Sequence, residues 1–104
     1  MLYANRIRQW AHDRNLLTGS DPKSQFVKLM EEAGELAASI ARGDQDEFED
    51  AIGDMFVVLT IMAAQTGADI EECIARAWYE IKDRKGRMVD GIWVKQADIA
   101  NSTD

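Results

Sequence analysis

The stretch from residue 51 to residue 64 constrains the fold most, because it is apolar on nearly every side of a helix. Only Gly53, Asp54 and Thr60 interrupt its apolar residues. A helix with this pattern must be buried on several sides. The rest of a chain of 104 residues can hardly cover that surface, since a small domain buries a modest share of its surface alone. The pattern therefore predicts a homo-oligomer in which a partner subunit covers this helix.

Capping and turn residues divide the chain into four helices and a hairpin. The helices are predicted over residues 3–16, 22–41, 44–67 and 69–86, with caps or breakers at Asp21 or Ser20, Pro22, Gly43, Asp44, Gly67, Asp69 and Gly86. Asp90 and Gly91 lie between apolar pairs, which predicts a short β-hairpin that packs on helices. The predicted fold is all-α: a four-helix bundle with a short C-terminal β-hairpin, in one domain over residues 1–95. Residues 96–104 are predicted to be a flexible C-terminal tail.

Charge and composition exclude several classes of protein. The net charge of −7 disfavours binding to nucleic acid. No apolar run approaches the roughly 18 residues of a membrane span, and the charged start of the chain is unlike a signal peptide. The single cysteine cannot form an internal disulfide. These features predict a soluble, cytoplasmic protein that binds neither nucleic acid nor membrane.

Several residues that often carry chemistry are assigned to packing instead. Cys73 and Trp78 lie on the apolar stripe of the fourth predicted helix, and Trp10 lies on that of the first, so all three are predicted in the core. Trp93 is predicted to anchor the hairpin. His12, the only histidine, is predicted at the surface.

Acidic residues on the second and third predicted helices share one face of each helix. Each residue of a helix turns by about 100°. On the second helix three acids lie within an arc of roughly 100°: Glu31, Glu32 and Glu35. On the third helix three acids lie within about 60°: Glu47, Asp50 and Asp54. The short connection between the helices predicts an antiparallel helical hairpin. If the two polar arcs face each other, four carboxylates converge: Glu32, Glu35, Asp50 and Asp54.

Converging carboxylates repel one another and raise one another's pKa unless a cation neutralises them. Mg²⁺ suits this position because it prefers oxygen ligands and keeps coordination sites that phosphate oxygens can take. Mn²⁺ is the expected substitute, whereas zinc favours nitrogen and sulfur donors. The alternative is that these acids form a solvated helix face.

Two segments carry a resemblance to a known family: KLMEEAGEL at residues 28–36 and IGDM at residues 52–55. Together they resemble the MazG-like branch of the all-α nucleoside triphosphate pyrophosphohydrolases, whose pattern is Glu-x-x-Glu followed by Glu-x-x-Asp on the next helix. The resemblance covers residues 26–95, including IKDRKG at 81–86. The chain departs from the pattern at Ala51, where the family has Glu. Asp50, Glu47 or a water then fills the fourth ligand position.

The resemblance implies a homodimer or homotetramer that hydrolyses a nucleoside triphosphate to the monophosphate and pyrophosphate with Mg²⁺. It implies a role in cleansing or remodelling the deoxynucleotide pool, and small stand-alone members also occur in phages. A deoxypurine such as dGTP is one candidate substrate. Ala51 keeps an alternative open, a non-catalytic helical oligomer that binds a nucleotide or a protein partner.

The resemblance also implies roles for individual residues. Glu32, Glu35 and Asp54 hold the ions, with Asp50 as the candidate for the missing oxygen. Glu31 orients or deprotonates the attacking water, unless it only faces solvent. Lys28 contacts a phosphate, and four cations near the end of the fourth helix grip the β and γ phosphates: Lys82, Lys85, Arg84 and Arg87. The alternative for these four is simple stabilisation by the helix dipole.

Overall fold

The structure, a computed structural model, describes the backbone of residues 1–101 and the side chains of residues 1–99. Its elements are α1 (Leu2–Asp13), α2 (Leu16–Gly19), α3 (Pro22–Arg42), α4 (Gln45–Gln65), α5 (Ile70–Ile81), β1 (Gly86–Val89), β2 (Ile92–Lys95) and α6 (Gln96–Asn101). The described contacts divide the chain into a first unit, Met1–Cys73, and a second unit that begins at Ile74. The mostly helical content with one small hairpin confirms the predicted all-α class. The arrangement of four helices as one bundle, and a domain boundary at residue 95, stay predictions.

Local signals determine where α3 and α4 begin and end. Asp21 caps α3, since its carboxylate accepts a hydrogen bond from the Ser24 N–H at 2.7 Å. Gly43 ends α3 with a φ of 66°, a left-handed conformation that glycine adopts without steric cost. Asp44 then caps α4 by accepting a hydrogen bond from the Glu47 N–H at 3.1 Å. The two helices, each of 21 residues, reverse direction over two residues and pack against each other.

Helix α1 packs on α4, and its most buried residues are alanines. Ala4 and Ala11 are buried, with 2% and 0% of their surface exposed. The predicted apolar stripe of this helix is buried at Ala11, but its aromatic residues Tyr3 and Trp10 are 68% and 45% exposed, so the prediction of a core Trp10 is wrong for the single chain. Tyr3 and Trp10 line a pocket together with Val57 of α4.

The predicted first helix is two helices in the structure. Asn15 takes a left-handed conformation with a φ of 59°, which asparagine tolerates better than most residues. Helix α1 therefore ends at Asp13, and the short α2 covers Leu16–Gly19. The Leu16 carbonyl accepts a hydrogen bond from the Gln65 side chain at 3.2 Å, which ties α2 to the end of α4.

A single chain covers α4 only in part. Val58, Thr60 and Ile61 are buried, whereas Ile52 and Leu59 are exposed. Full burial of this helix, expected from its apolar pattern, would require a further surface. Among the described residues no single helix is long and apolar enough to cross a membrane, although the bent pair of α4 and α5 passes that test by length and composition.

Helix α5 exposes most of the apolar stripe that was predicted to be buried. Ile70 is buried, but Cys73 is exposed. Farther along the helix Ile74, Trp78 and Ile81 are also exposed. The prediction that Cys73 and Trp78 belong to the core is therefore wrong for the single chain. A stripe of this kind is suited to burial, and one copy of the chain leaves it open.

The second unit contains the predicted hairpin. Strands β1 and β2 are antiparallel, and Val89 pairs with Ile92. Asp90 and Gly91 between them have φ values of 50° and 79°, as a type I′ turn requires. Gly86 begins β1 rather than ending the fourth helix, which ends at Ile81.

The hairpin packs against a helix that the sequence did not predict. Helix α6 (Gln96–Asn101) contacts both strands, where a flexible tail from residue 96 was expected. Residues 102–104 of that predicted tail lie outside the described residues. Trp93 is 50% exposed, and its ring lies 2.9 Å from the position that a Cβ at Gly86 would take. The ring therefore covers the start of β1, and Gly86 leaves it the room to do so.

Candidate metal centre

Three carboxylates meet where α3 packs on α4. Glu32 and Glu35 lie about one turn apart on α3, and Asp54 projects from α4. Each offers one carboxylate oxygen, and these three oxygens lie within 4.8 Å of one another. We call Glu32, Glu35 and Asp54 the acidic cluster. The two-residue turn at Gly43 and Asp44 sets the relative height of the helices, and so brings the three side chains together.

Glu32 is the buried member of the cluster. Only 8% of its surface is exposed, whereas Glu35 and Asp54 are exposed. Burial raises the pKa of the Glu32 carboxyl above its usual value, and the neighbouring Glu35 and Asp54 charges raise that pKa further. Lys28 opposes this effect and lowers the Glu32 pKa, with its Nζ 3.9 Å from Glu32 Oε1. The net electrostatic environment disfavours a charged Glu32 in the protein alone.

One oxygen of Glu32 has no partner. Its Oε2 is buried and accepts no hydrogen bond from any residue that the structure describes. Leaving a buried carboxylate oxygen unpaired is costly. A cation placed against Oε2 would remove that cost and would also screen Glu32 from Glu35 and Asp54. The buried oxygen therefore favours a metal site over a solvated face.

The donor set suits a hard divalent cation. The acidic cluster contains only carboxylate oxygens, which are the ligands that Mg²⁺ and Mn²⁺ prefer. Zinc sites usually include histidine or cysteine, and neither residue type belongs to the cluster. Three carboxylates would leave coordination positions of Mg²⁺ for water or for phosphate oxygens. The residues present are compatible with Mg²⁺ at this position.

A cleft of about 650 Å³ extends from the cluster and is large enough for a small ligand. Its walls carry five carboxylates: Glu31, Glu35, Glu47, Asp50 and Asp54. Small residues make up much of the rest: Gly34, Ala38 and Ala51. A Cβ at Gly34 would meet nothing within 4 Å. The small residues leave the space that a ligand would fill.

The position where the family pattern has Glu is filled by buried Ala51, which is 2% exposed. Asp50 and Glu47 line the same cleft, but neither belongs to the cluster of three oxygens. The Glu47 carboxylate accepts a hydrogen bond from the Arg42 guanidinium. The Asp50 carboxylate has no hydrogen bond or ion pair among the residues that the structure describes. Asp50 is thus the acid that is free to turn toward a cation.

The predicted phosphate-binding cations lie in different parts of the chain. Lys28 lies in the first unit beside Glu32. The other four follow the end of α5 in the second unit: Lys82, Arg84, Lys85 and Arg87. Lys82 pairs with Asp83 at 3.2 Å and lies 5.6 Å from the centre of the Tyr79 ring. A role of these four residues in phosphate binding stays a prediction.

Arg42 lines the cleft and was not among the predicted site residues. It is the last residue of α3 and pairs with Glu47. The sequence held a usable signal, since Arg42 follows Glu35 by seven residues and so lies on the same helix face about two turns farther along.

Comparison with known proteins gives one family and one relative. The sequence model of the family described as MazG nucleotide pyrophosphohydrolase domain matches residues 20–88. An "uncharacterized 18.2 kDa protein in rep-hol intergenic region" of Haemophilus phage HP1 (strain HP1c1) is 52% identical over 63 residues. The match covers 61% of this chain and 39% of the phage protein, so the chain spans about two-fifths of that relative's length. No solved structure matches the chain significantly.

Proposed function

The chain belongs to the MazG nucleotide pyrophosphohydrolase domain family, and from this premise we propose that it is a Mg²⁺-dependent nucleoside triphosphate pyrophosphohydrolase. Its products would be a nucleoside monophosphate and pyrophosphate. The observation that carries the proposal is the acidic cluster, in which three carboxylate oxygens lie within 4.8 Å and the buried Glu32 Oε2 has no partner among the described residues. Such a cluster at one end of a polar cleft suits a metal-dependent reaction of a phosphate ester or anhydride.

The chain's own residues divide the work of this reaction. Glu32, Glu35 and Asp54 would hold the cation, and Asp50 would supply a fourth oxygen from the same cleft in place of the missing Glu at position 51. When bound, Mg²⁺ offsets phosphate charge and lowers the pKa of water. Lys28, already beside Glu32, would contact a phosphate oxygen.

Glu31 is the proposed base. Its side chain is exposed and lines the cleft, so it can accept a proton from a water molecule there. The water oxygen would bond to the α-phosphorus as the bond from that phosphorus to the oxygen bridging to the β-phosphate breaks. Pyrophosphate leaves with the bridging oxygen, and the monophosphate keeps the oxygen of the water.

The substrate proposed is a deoxynucleoside triphosphate, canonical or altered, with dGTP among the candidates. A role in remodelling or cleansing a deoxynucleotide pool is proposed from membership of the family. The cations after α5 would contact the β and γ phosphates. These finer assignments rest on family membership together with the charge of the residues involved.

We also propose that the protein works as a homodimer or a homotetramer. Exposed apolar residues at helical spacing on α5, together with Ile52 and Leu59 on α4, support this proposal. A second copy of the chain is the occupant that would bury them. Sedimentation equilibrium at micromolar protein concentration tests the proposal, and a monomer at all concentrations would contradict it.

The test of the catalytic proposal is product analysis. Purified protein is incubated with a panel of deoxynucleoside triphosphates and Mg²⁺, and the products are resolved by anion exchange. Equal amounts of monophosphate and pyrophosphate are expected. Release of single phosphates would indicate a different reaction. No turnover by a protein with normal helicity would favour the alternative, a non-catalytic oligomer that binds a nucleotide or a protein partner.

A matched pair of variants connects turnover with the cluster. Glu35→Gln removes one ligand charge at nearly constant shape, and we expect it to abolish turnover. Glu49→Gln makes the same change on α4 at an exposed site outside the cleft, and turnover should stay near normal. Equal far-UV circular dichroism of both variants checks the fold. Near-normal turnover of Glu35→Gln would show that the metal assignment is wrong.

A further inference from the structure

We propose that Arg42 binds the terminal phosphate of the substrate, and that Glu47 holds Arg42 at the end of the cleft when substrate is absent. This inference rests on the proposed function of the acidic cluster and extends it to the far end of the same cleft. Arg42 would be a substrate-binding residue, and Glu47 a residue that positions it.

The charges of the cleft carry the first step. Among the described residues that line it, Arg42 is the single cation and five are carboxylates. A cation held by the cluster compensates the phosphate nearest to it. Among the described residues that line the cleft beyond the proposed cation ligands, the phosphate group farther along would otherwise meet the Glu47 carboxylate, which repels it. A guanidinium binds phosphate oxygens with two parallel hydrogen bonds, so Arg42 supplies the missing compensation.

The position of Arg42 carries the second step. It lies on the same face of α3 as Glu35 and about 10 Å farther along the helix axis, from seven residues at a rise of 1.5 Å each. A polyphosphate chain anchored at the cluster therefore extends toward Arg42 when it follows the cleft. A ligand bound in the opposite direction would place its base and sugar against Arg42. Loss of Arg42 would then weaken the binding of a nucleoside monophosphate instead of the binding of a polyphosphate.

The ion pair carries the third step. The Arg42 and Glu47 side chains are 59% and 55% exposed, and an exposed pair of this kind is weak. A terminal phosphate group with two negative charges can displace a single exposed carboxylate from the guanidinium. The pair thus keeps Arg42 near the cleft without preventing its use by the ligand.

The probe for this inference is inorganic tripolyphosphate, with binding measured by isothermal titration calorimetry in the presence of Mg²⁺. Arg42→Gln should weaken tripolyphosphate binding by about 10- to 100-fold, the range for a charged hydrogen-bonding contact. The affinity for a deoxynucleoside monophosphate should be unchanged. Arg8→Gln is the matched control, because Arg8 is also ion-paired, with Asp69 at 3.3 Å, but does not line the cleft. Unchanged tripolyphosphate binding by Arg42→Gln, or a loss confined to the monophosphate, would overturn the inference.

Glu47→Gln tests the holding contact. Freed from its partner, Arg42 should bind tripolyphosphate a few-fold more tightly. Removing any nearby negative charge would also favour an anion, so the same change is made in the Arg42→Gln protein. A gain that disappears in the double variant acts through Arg42. A gain of equal size in both backgrounds would contradict the proposed role of Glu47.

Turnover measurements separate this inference from the proposed function. A wild-type protein that hydrolyses no triphosphate but binds tripolyphosphate through Arg42 would contradict the catalytic proposal and support this one. If the wild-type protein hydrolyses triphosphates and the Arg42→Gln variant has the same KM, only the inference about Arg42 is contradicted. No measurable binding of tripolyphosphate to the wild-type protein would also overturn it.

Discussion

Replacing Glu32 by glutamine tests the acidic cluster through protein stability, independently of any reaction. In the metal-free protein Glu32 is buried beside two other carboxylates, so its charge opposes folding. Glutamine keeps the shape, removes the charge, and offers an N–H group that can donate a hydrogen bond to Glu35 or Asp54. We therefore expect Glu32→Gln to be more stable than the wild-type protein when a chelator is present.

The geometry gives the size of this effect. Two unit charges separated by 4.8 Å, the upper limit of the distances among the three oxygens, repel by about 3 kcal/mol at an effective dielectric constant of about 20. Glu35 and Asp54 are exposed, so water screens part of this repulsion, while burial of Glu32 adds a desolvation cost. The net gain in the free energy of unfolding should be about 1–3 kcal/mol. For a domain of this size, each kcal/mol raises Tm by about 4–8 °C.

The pH dependence follows from the raised pKa of Glu32. Between the unfolded and folded pKa values of this group, the folded protein binds the proton and the unfolded chain does not. The favourable contribution of protonated Glu32 is thus complete below the unfolded pKa and is lost as pH rises through the folded pKa. The stability difference between Glu32→Gln and the wild-type protein should therefore increase as pH rises through that window.

Addition of Mg²⁺ should stabilise the wild-type protein more than the Glu32→Gln variant. Mg²⁺ that binds only the folded protein stabilises it by about 2.7 kcal/mol at one hundred times its Kd, and Glu32→Gln should show little of this effect. Differential scanning calorimetry with chelator and with Mg²⁺ measures both terms, and Glu49→Gln is the exposed control. A less stable metal-free Glu32→Gln protein, or one that Mg²⁺ stabilises as strongly as the wild type, would refute the reasoning.

Three further substitutions test the metal site and the helix ends that position it. If Asp50 is a ligand, Asp50→Asn should raise the Mg²⁺ concentration needed for half-maximal turnover by about tenfold or more, because loss of a ligand or of a residue that supports one lowers the metal affinity by that factor. An unchanged Mg²⁺ requirement would exclude Asp50 as a ligand. Gly43→Ala should destabilise the protein by about 1 kcal/mol in urea unfolding, because alanine is strained at a φ of 66°, and no loss would contradict this. Hydrogen bonds from Ser24 lower the pKa of Asp21, so the Asp21 charge stabilises the protein above the unfolded pKa, and that stability is lost as pH falls through the folded pKa. Asp21→Asn should therefore match the wild type at low pH and be less stable near neutrality. A stability difference that does not change with pH would contradict this prediction.

The helical hairpin could be predicted closely because its signals are local. Asp21, Gly43 and Asp44 each act on the backbone within a few residues, so their effect can be deduced without knowing what packs around them. The same holds for the turn at Asp90 and Gly91. Helix geometry and a short connection predicted that four carboxylates converge. Glu32, Glu35 and Asp54 do so, whereas Asp50 lines the adjoining cleft.

What depends on long-range packing could not be predicted from the sequence. Helical periodicity identifies an apolar face but does not say which part of it contacts a neighbour. On α1 the predicted stripe is therefore buried at Ala11 but exposed at Trp10, and Trp78 is exposed in the single chain. Arg42 was missed for a related reason, because its membership of the cleft depends on how α4 lies against α3.

The three cluster residues all belong to one helix–turn–helix segment. Closing a loop of about twenty residues costs little entropy compared with bringing distant segments together. Contacts of such short sequence separation form early when a chain folds. The geometry needed to bind a cation is therefore settled by a continuous stretch of less than half the polypeptide. A nascent chain could assemble that stretch while its second unit is still inside the exit tunnel of the ribosome.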